Sequence, residues 1–222
     1  MSGPAVEGEA PVPAEGGRRG PPRRLVLATR NPHKVTEVTR IFAEAGAEAE
    51  LLSTEAFPDL PDVAETGRTF AENALLKARA VARATHRPAV ADDSGLCVDA
   101  LNGMPGVFSA RWAGGHGDDE ANLRLLLAQL TDVPDDRRVA HFQCAAAIVL
   151  PSGTERVVSG QVGGTLTREP RGAGGFGYDP IFVPEGDTRT TAEMTAHEKD
   201  AISHRGRAFR ALADVVAELL PA

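Results

Sequence analysis

Apolar residues first become dense at Leu25-Val26-Leu27-Ala28, a short run that predicts a buried strand. From Pro32 the spacing changes, and Val35, Val38, Ile41, Phe42 and Ala45 recur at helical intervals as far as Gly46. Pro32 suits a first helical turn and Gly46 the residue just past a last one. A strand, the polar hexapeptide Thr29 to Lys34 and a helix, in that order, make an anion-binding corner, because the free amides of the helix start point at the loop. A second strand is predicted over Glu48 to Leu52. A long loop comes next, from Ser53 to Gly67, with Pro58, Pro61 and the acidic residues Glu55, Asp59, Asp62 and Glu65.

Thr69 to His86 repeats the helical signature through Phe70, Ala74, Leu75, Ala78 and Val81, with Thr69 as cap and Glu72 completing a capping box. Pro88 to Ala91 predicts a buried strand that ends in Asp92-Asp93-Ser94-Gly95. Asp118 to Leu130 is an amphipathic helix with Leu123, Leu126, Leu127 and Leu130 on one stripe. Val139 to Leu150 and Arg156 to Val162 flank Pro151-Ser152-Gly153 and predict a hairpin. After the glycine-dense stretch Gly172 to Gly177 come a short strand at Ile181 to Val183 and a closing helix from about Arg207 to Leu220. Helix and strand alternate early and a hairpin comes after them, which is the order of an α/β fold with a mixed sheet. Residues 1–24, with five Gly and five Pro and little to bury, are expected to be a disordered extension, leaving 25–222 as the folded domain.

Composition narrows the function. The 24 Lys and Arg against 31 Asp and Glu give a net charge of −7, which argues against a nucleic-acid wrapper. No apolar run approaches the roughly 20 residues of a membrane helix, and the N-terminus lacks a signal-peptide core, so a cytoplasmic location is expected. Cys97 and Cys144 lack a C-x-x-C spacing and read as buried free thiols. Of the 24 cations only Lys34, Lys77 and Lys199 are lysines. A position that keeps Lys amid such a skew is a candidate for a compact point charge that the Arg fork cannot replace.

Four polar clusters lie at predicted element ends. Thr29-Arg30-Asn31-Pro32-His33-Lys34 can bind a phosphate through Thr29, Asn31, helix amides and Lys34, although Asn31 alone would also explain it as a helix cap. Asp92-Asp93-Ser94-Gly95 fits a Mg²⁺ held by one or two carboxylates with substrate phosphates completing the octahedron, against the bland reading of a turn. Gly175-Phe176-Gly177-Tyr178-Asp179-Pro180 offers an aromatic face for a base, or a packing plug beneath the loop. Glu198 to Gly206 concentrates Lys199, His204 and Arg205, with a solvated turn as the competing reading. The six His show no His-x-x-x-His pair, and no Gly-x-Ser-x-Gly elbow or Walker loop is present, which argues against a zinc site, a serine hydrolase and a P-loop enzyme.

Taken in order, Thr29-x-Asn31-x-x-Lys34, Thr69-Phe70-Ala71-Glu72-Asn73-Ala74, Ala91-Asp92-Asp93-Ser94-Gly95-Leu96, Pro105-Gly106-Val107-Phe108-Ser109-Ala110-Arg111, Gly175 to Pro180 and Ser203-His204-Arg205-Gly206 closely resemble the inosine triphosphate pyrophosphatase family. The resemblance runs from Leu25 to about Leu220. It implies an elongated mixed α/β fold with two lobes around a nucleotide cleft, a homodimer, and Mg²⁺-dependent hydrolysis of ITP, dITP and XTP to the monophosphate and pyrophosphate. By the same resemblance Asp93 is the catalytic base and metal ligand. Thr29 to Lys34, Ser94, Phe176, Gly177, Tyr178, Asp179, Lys199, His204 and Arg205 then match the substrate-contacting motifs, whereas Lys77 is expected to be structural or solvated. Two positions depart from the family pattern: Arg30 stands where Gly is common, and Ala64 where an acidic residue tied to the metal is common, so that Glu65 or another carboxylate must serve. Two alternatives have different marks: a Maf-like pyrophosphatase would prefer modified pyrimidine nucleotides, and a non-catalytic nucleotide sensor would lack Asp93 or Lys199.

Overall fold

The computed structural model describes residues 23–221 apart from Glu48 and Pro61. Most of the expected N-terminal extension thus lies outside the described residues, and strand β1 (Arg23–Leu27) begins two positions before the expected boundary at Leu25. Helix α1 (Pro32–Glu44) starts at Pro32 as its spacing predicts, capped by the Asn31 side chain. Strand β2 spans Ala49–Ser53, and helix α2 spans Phe70–Thr85 with Thr69 as its cap. The Glu72 carboxylate accepts the amide of Arg68 at 2.5 Å instead of that of Thr69, so the expected capping box is shifted by one residue.

Strand β3 runs Ala89–Val98 and is longer than its apolar run predicts, because backbone pairing with a later strand carries it through Asp92-Asp93-Ser94-Gly95. The two acidic residues therefore sit mid-strand and not in a turn after it. Next come strand β4 (Met104–Pro105), helix α3 (Asp119–Gln129) and strands β5 (Val139–Val149), β6 (Glu155–Leu166) and β7 (Phe182–Pro184), then α4 (Ala196–Ile202) and α5 (His204–Leu219). The segment Glu198 to Gly206, for which a solvated turn is the competing reading, is helical on both sides of Ser203, whose side chain caps α5 by accepting the Gly206 amide at 2.9 Å. The predicted start of the last helix at Arg207 is thus three residues late. Polar side chains hide this turn, since Lys199, His204 and Arg205 are buried and carry no apolar periodicity.

The seven-stranded sheet has the order β2-β1-β3-β5-β6-β7, with β4 beside β3. β1 pairs parallel with β2 and β3, and the remaining pairings are antiparallel, so the mixed α/β sheet expected from the sequence is what forms. The side chains of a strand alternate between faces. Ala89 and Ala91 pack under α2 with Phe70, Ala74, Ala78 and Val81, whereas Val90 packs with Val38, Ile41, Phe209 and Leu212 of α1 and α5. The same parity continues along the strand, so Asp92 emerges on the α1 and α5 side and Asp93 on the α2 side.

Candidate active site

A cavity of about 530 Å³ opens where these elements meet, in the range that accepts a nucleotide-sized ligand. Thr29, Arg30, Asn31 and Lys34 line it from the first corner, Ser94 and Asp93 from β3, Phe176 to Asp179 from the glycine loop, and Lys199, His204 and Arg205 from α4 and α5. Asn31 Oδ1 accepts the amides of His33 and Lys34 at 2.9 and 3.3 Å, and Thr29 Oγ1 accepts that of Asn31 at 3.2 Å. Pro32 serves as the first residue of α1 and does not line the cavity. His33 lines a smaller neighbouring cavity, where its ring stacks on Phe176 at 5.3 Å between centroids. The Arg30 guanidinium turns to the rim, paired with Asp62 and donating to the Leu60 carbonyl at 2.8 Å.

On the α1 side of β3 the charges form one buried network. Lys34 Nζ and the Ser94 hydroxyl donate to Asp92 Oδ2 at 2.9 and 2.6 Å. Arg205 donates to Ser94 Oγ at 3.3 Å, lies 3.5 Å from Asp92, and is paired with Glu37. Lys199 Nζ donates to Glu37 at 2.9 Å and to Asp179 at 2.6 Å. Burial pushes the Asp92 carboxyl up, but Lys34, Arg205, Lys77 and the Ser94 hydroxyl together hold it well below the usual carboxylate range. Burial lowers Lys199, and the charges of Asp179 and Glu37 more than offset it, so the ammonium is kept. His204 is driven well below its usual value, first by burial and then by Arg205 and Lys199, so it is neutral; its ring stacks on Phe142 at 4.7 Å.

The opposite face carries a separate cluster. Asp93 Oδ2 accepts the Asn73 side-chain amide at 3.0 Å, and Oδ1 lies 3.5 Å from Lys77 Nζ, which donates to Glu65 Oε1 at 2.8 Å. Burial and the neighbouring Glu65 charge raise the Asp93 carboxyl despite Lys77, Lys34 and Asn73. Adjacent in sequence, Asp92 and Asp93 thus have opposite electrostatics, one locked as an anion and one pushed toward taking a proton.

The glycine loop is shaped by Asp179, whose Oδ2 accepts the Phe176 amide at 2.8 Å; a Cβ on Gly175, at φ +71°, would overlap that carboxylate. Asp119 Oδ2 at the start of α3 accepts the Gly177 amide at 2.8 Å. Phe176 remains half-buried with Lys199 and Arg205 over its ring at 5.0 and 5.4 Å. Tyr178 takes the plug role instead, buried with its hydroxyl donating to the Ser109 carbonyl at 2.9 Å.

Of the two expectations for Lys77, structural or solvated, the solvated one is excluded: the side chain is only 15% exposed, joins Glu65 and Asp93 and lines the cavity. The sequence carries that signal, since Phe70, Asn73, Ala74, Lys77, Ala78 and Val81 share one face of α2. Glu37, three residues after Lys34 and beside Val38 on the buried face of α1, escapes the sequence reading in the same way, as a charged residue on an apolar stripe. Of the residues beside Ala64, Glu65 brings a carboxylate to the cavity, as does Asp62 two positions earlier.

The fit of these residues to a divalent cation can be tested on the donors themselves. Glu65 and Asp93 are hard oxygen ligands converging on one ammonium, and among the described residues no group of three or more His, Cys, Asp or Glu is gathered around a point. Two carboxylates with the remaining positions left to phosphate and water is the way Mg²⁺ is usually held, so the residues fit.

Known proteins resemble this chain over most of its length. A dITP/XTP pyrophosphatase of Streptomyces coelicolor is 68% identical over 197 residues, covering 89% of this chain and 98% of its own. The dITP/XTP pyrophosphatase structure from Mycobacterium abscessus is 53% identical with a TM-score of 0.69, over 89% of this chain and 98% of that one. A HAM1 protein from Coxiella burnetii aligns at 41% identity with a TM-score of 0.79, over 88% and 99% of the two chains. Residues 25–215 match the Ham1 family, and the chain belongs to it.

Proposed function

We propose that this chain hydrolyses dITP, ITP and XTP to the nucleoside monophosphate and pyrophosphate, with Mg²⁺ as its metal. The observation that carries the reading is the division of charge across β3, with Lys34, Lys199 and Arg205 on one side of the cavity and Asp93 with Glu65 on the other. The relatives named dITP/XTP pyrophosphatase, matched over nearly their whole length, support the substrate class.

The triphosphate sits against the α1 corner, where the Thr29 hydroxyl, the Asn31 amide and the first turn of α1 meet phosphate oxygens and Lys34 supplies mobile positive charge. Asp93 Oδ1 takes a proton from the attacking water, a role suited by its raised pKa, while Asn73 holds Oδ2 in place. The water oxygen bonds to the α-phosphorus, the bond from that phosphorus to the bridging oxygen breaks, and pyrophosphate leaves with the electron pair. Lys34 and Lys77 are placed to neutralise the charge that builds there. Glu65 and Asp93 would hold Mg²⁺, which when bound polarises phosphate oxygens as a Lewis acid. Phe176 stacks on the purine, and Arg205 with the α5 start donates to the 6-oxo group. Adenine, with an amino group at that position, would leave these buried donors unpaired, which rejects it.

The family resemblance also supports a cytoplasmic homodimer; no helix among the described residues is long and apolar enough to cross a membrane. Light scattering of the purified protein at twice the chain mass supports the dimer, and a monomer mass contradicts it. The test of function is a nucleotide panel with Mg²⁺. Pyrophosphate should be released from dITP and XTP far faster than from dATP or UTP. Release of orthophosphate alone, equal rates on dATP, or a preference for modified pyrimidines would overturn the proposal.

A further inference from the structure

Glu65 lies in residues 62–67, which form neither helix nor strand, so no backbone ladder fixes its carboxylate. What holds it is Arg111. Nη1 of Arg111 donates to Glu65 Oε2 at 3.2 Å and Nη2 donates to the main-chain carbonyl of Glu65 at 3.3 Å. Both side chains are about one-fifth exposed, at 22% and 21%, so the pair is shielded more than a surface ion pair. The guanidinium also packs over the ring of Phe108 at 5.2 Å, and Nη1 lies 3.5 Å from His116 Nε2.

Arg111 in turn is tied to the strand that carries Asp93. It ends the 3₁₀ stretch Gly106–Arg111, whose Ser109 hydroxyl accepts the β3 amide of Leu96 at 2.9 Å and donates to the Gly106 carbonyl at 2.7 Å. A Cβ on Gly95 would collide with that same Gly106 carbonyl and with Ser109 Oγ, so β3 and the Arg111 segment approach as closely as backbone allows. The hydroxyl of Tyr178 clamps the segment from the other side through the Ser109 carbonyl. A rigid path thus runs from Asp93 through β3 and Ser109 to Arg111 and on to Glu65.

We propose that Arg111 is a positioning residue that orients Glu65 toward Asp93 and thereby sets the affinity for the divalent cation; this rests on the proposed function, in which Glu65 and Asp93 hold that cation. Arg111 keeps Oε2 and the backbone of Glu65, while Oε1, which accepts from Lys77 Nζ at 2.8 Å, faces the same ammonium as Asp93 Oδ1 and is the oxygen that would reach the metal. Only a planar fork spans a carboxylate and a carbonyl of one residue at once, so Lys at this position keeps the charge but loses the second bond.

The test measures Mn²⁺ binding to the full chain by loss of the free-ion electron paramagnetic resonance signal, with an α,β-imido analogue of dITP present. Thermal melts and near-ultraviolet circular dichroism monitor the fold; if Arg111→Ala does not fold, Arg111→Lys carries the test. Arg111→Ala and Arg111→Lys should weaken Mn²⁺ binding about 10-fold or more, the usual cost of removing a partner that orients a metal ligand. Glu65→Gln should weaken it at least as much, and adding Arg111→Ala to Glu65→Gln should bring no further loss, because both act through one carboxylate. Binding within about twofold of wild type for both Arg111 variants, with Glu65→Gln weakened, would overturn the positioning role alone. An unchanged Mn²⁺ affinity in Glu65→Gln would overturn the metal reading of Glu65, and the proposal with it.

Discussion

Removing Glu37 probes the α1 side of the cleft most sharply. Glu37 is 8% exposed and accepts from two buried cations, Lys199 and Arg205. Taking one partner out of a buried ion pair costs about 3–5 kcal/mol, because the other charge stays desolvated. Here Lys199 keeps Asp179 at 2.6 Å and Arg205 keeps Asp92 at 3.5 Å, which places the expected loss for Glu37→Ala at the lower end. A loss of about 3 kcal/mol in a chain of this size lowers the melting temperature by roughly 6–12 °C. The same substitution adds net positive charge to the α1 side of the cleft, on the helix whose first turn and Lys34 receive the phosphates. Tripolyphosphate should therefore raise the melting temperature of Glu37→Ala by more than it raises that of wild type. Burial pushes the Glu37 carboxyl up, but Arg205 and Lys199 overcome this and hold it below its usual 4.5. Its contribution is thus present above about pH 4.5 and lost as the pH falls through the lower folded-state value, so the two proteins should converge in stability in acid. Denaturant unfolding at pH 7 and at low pH, with and without tripolyphosphate, measures all three effects. A destabilisation under about 1 kcal/mol at pH 7, or equal stabilisation by tripolyphosphate, would refute the idea that Glu37 is the shared anion of a buried cation pair.

The same contacts set other outcomes. Lys34→Arg, Lys77→Arg and Lys199→Arg should each lower kcat/KM by about tenfold or more, since a fork cannot occupy a site built around a single ammonium; steady-state kinetics on dITP checks this, and wild-type values for Lys77→Arg would return that residue to a structural role. Arg138 is buried at 2% exposure and donates to the carbonyls of Leu130, Leu166 and Thr167 at 2.8–2.9 Å, joining the end of α3 to β6. Arg138→Met removes a donor from each of those carbonyls, of which, among the described residues, only that of Leu130 has a second one, the Val133 amide at 3.0 Å. It should cost about 2 kcal/mol or more in urea unfolding, while KM for dITP stays within about twofold, because Arg138 lies outside the cleft lining.

The order of elements is legible because each carries a periodic apolar stripe: Val38, Ile41 and Phe42 for α1, Phe209, Leu212 and Val216 for α5, Val139 to Val149 for the central strand β5. Legibility fails wherever buried residues are polar. The first turn of α5 consists of His204, Arg205 and Gly206, and α4 buries Lys199 and Asp200, so no hydrophobic period announces either helix. β3 continues through two aspartates because its ladder with β5 and the cations of the cleft satisfy it there, and neither partner is near in sequence. The site motifs are readable as motifs; their pairing is not. Glu65 and Lys77 are 12 residues apart on a loop and a helix, and only the crossing of α2 over β3 brings both to Asp93. The alternation of the strand supplies the one relation that spacing does fix: neighbours Asp92 and Asp93 must face opposite sides.

That relation allows the central claim to be tested with two isosteric variants in a single experiment, quench-flow single turnover of dITP with nucleotide binding measured in parallel. Asp93→Asn should bind nucleotide and melt within a few degrees of wild type, yet release pyrophosphate at least about 10³-fold more slowly, since an amide cannot take the proton from water. Asp92→Asn should retain chemistry once loaded but melt early, because Lys34 and Arg205 lose their shared anion. Wild-type turnover in Asp93→Asn would contradict the division of labour across β3.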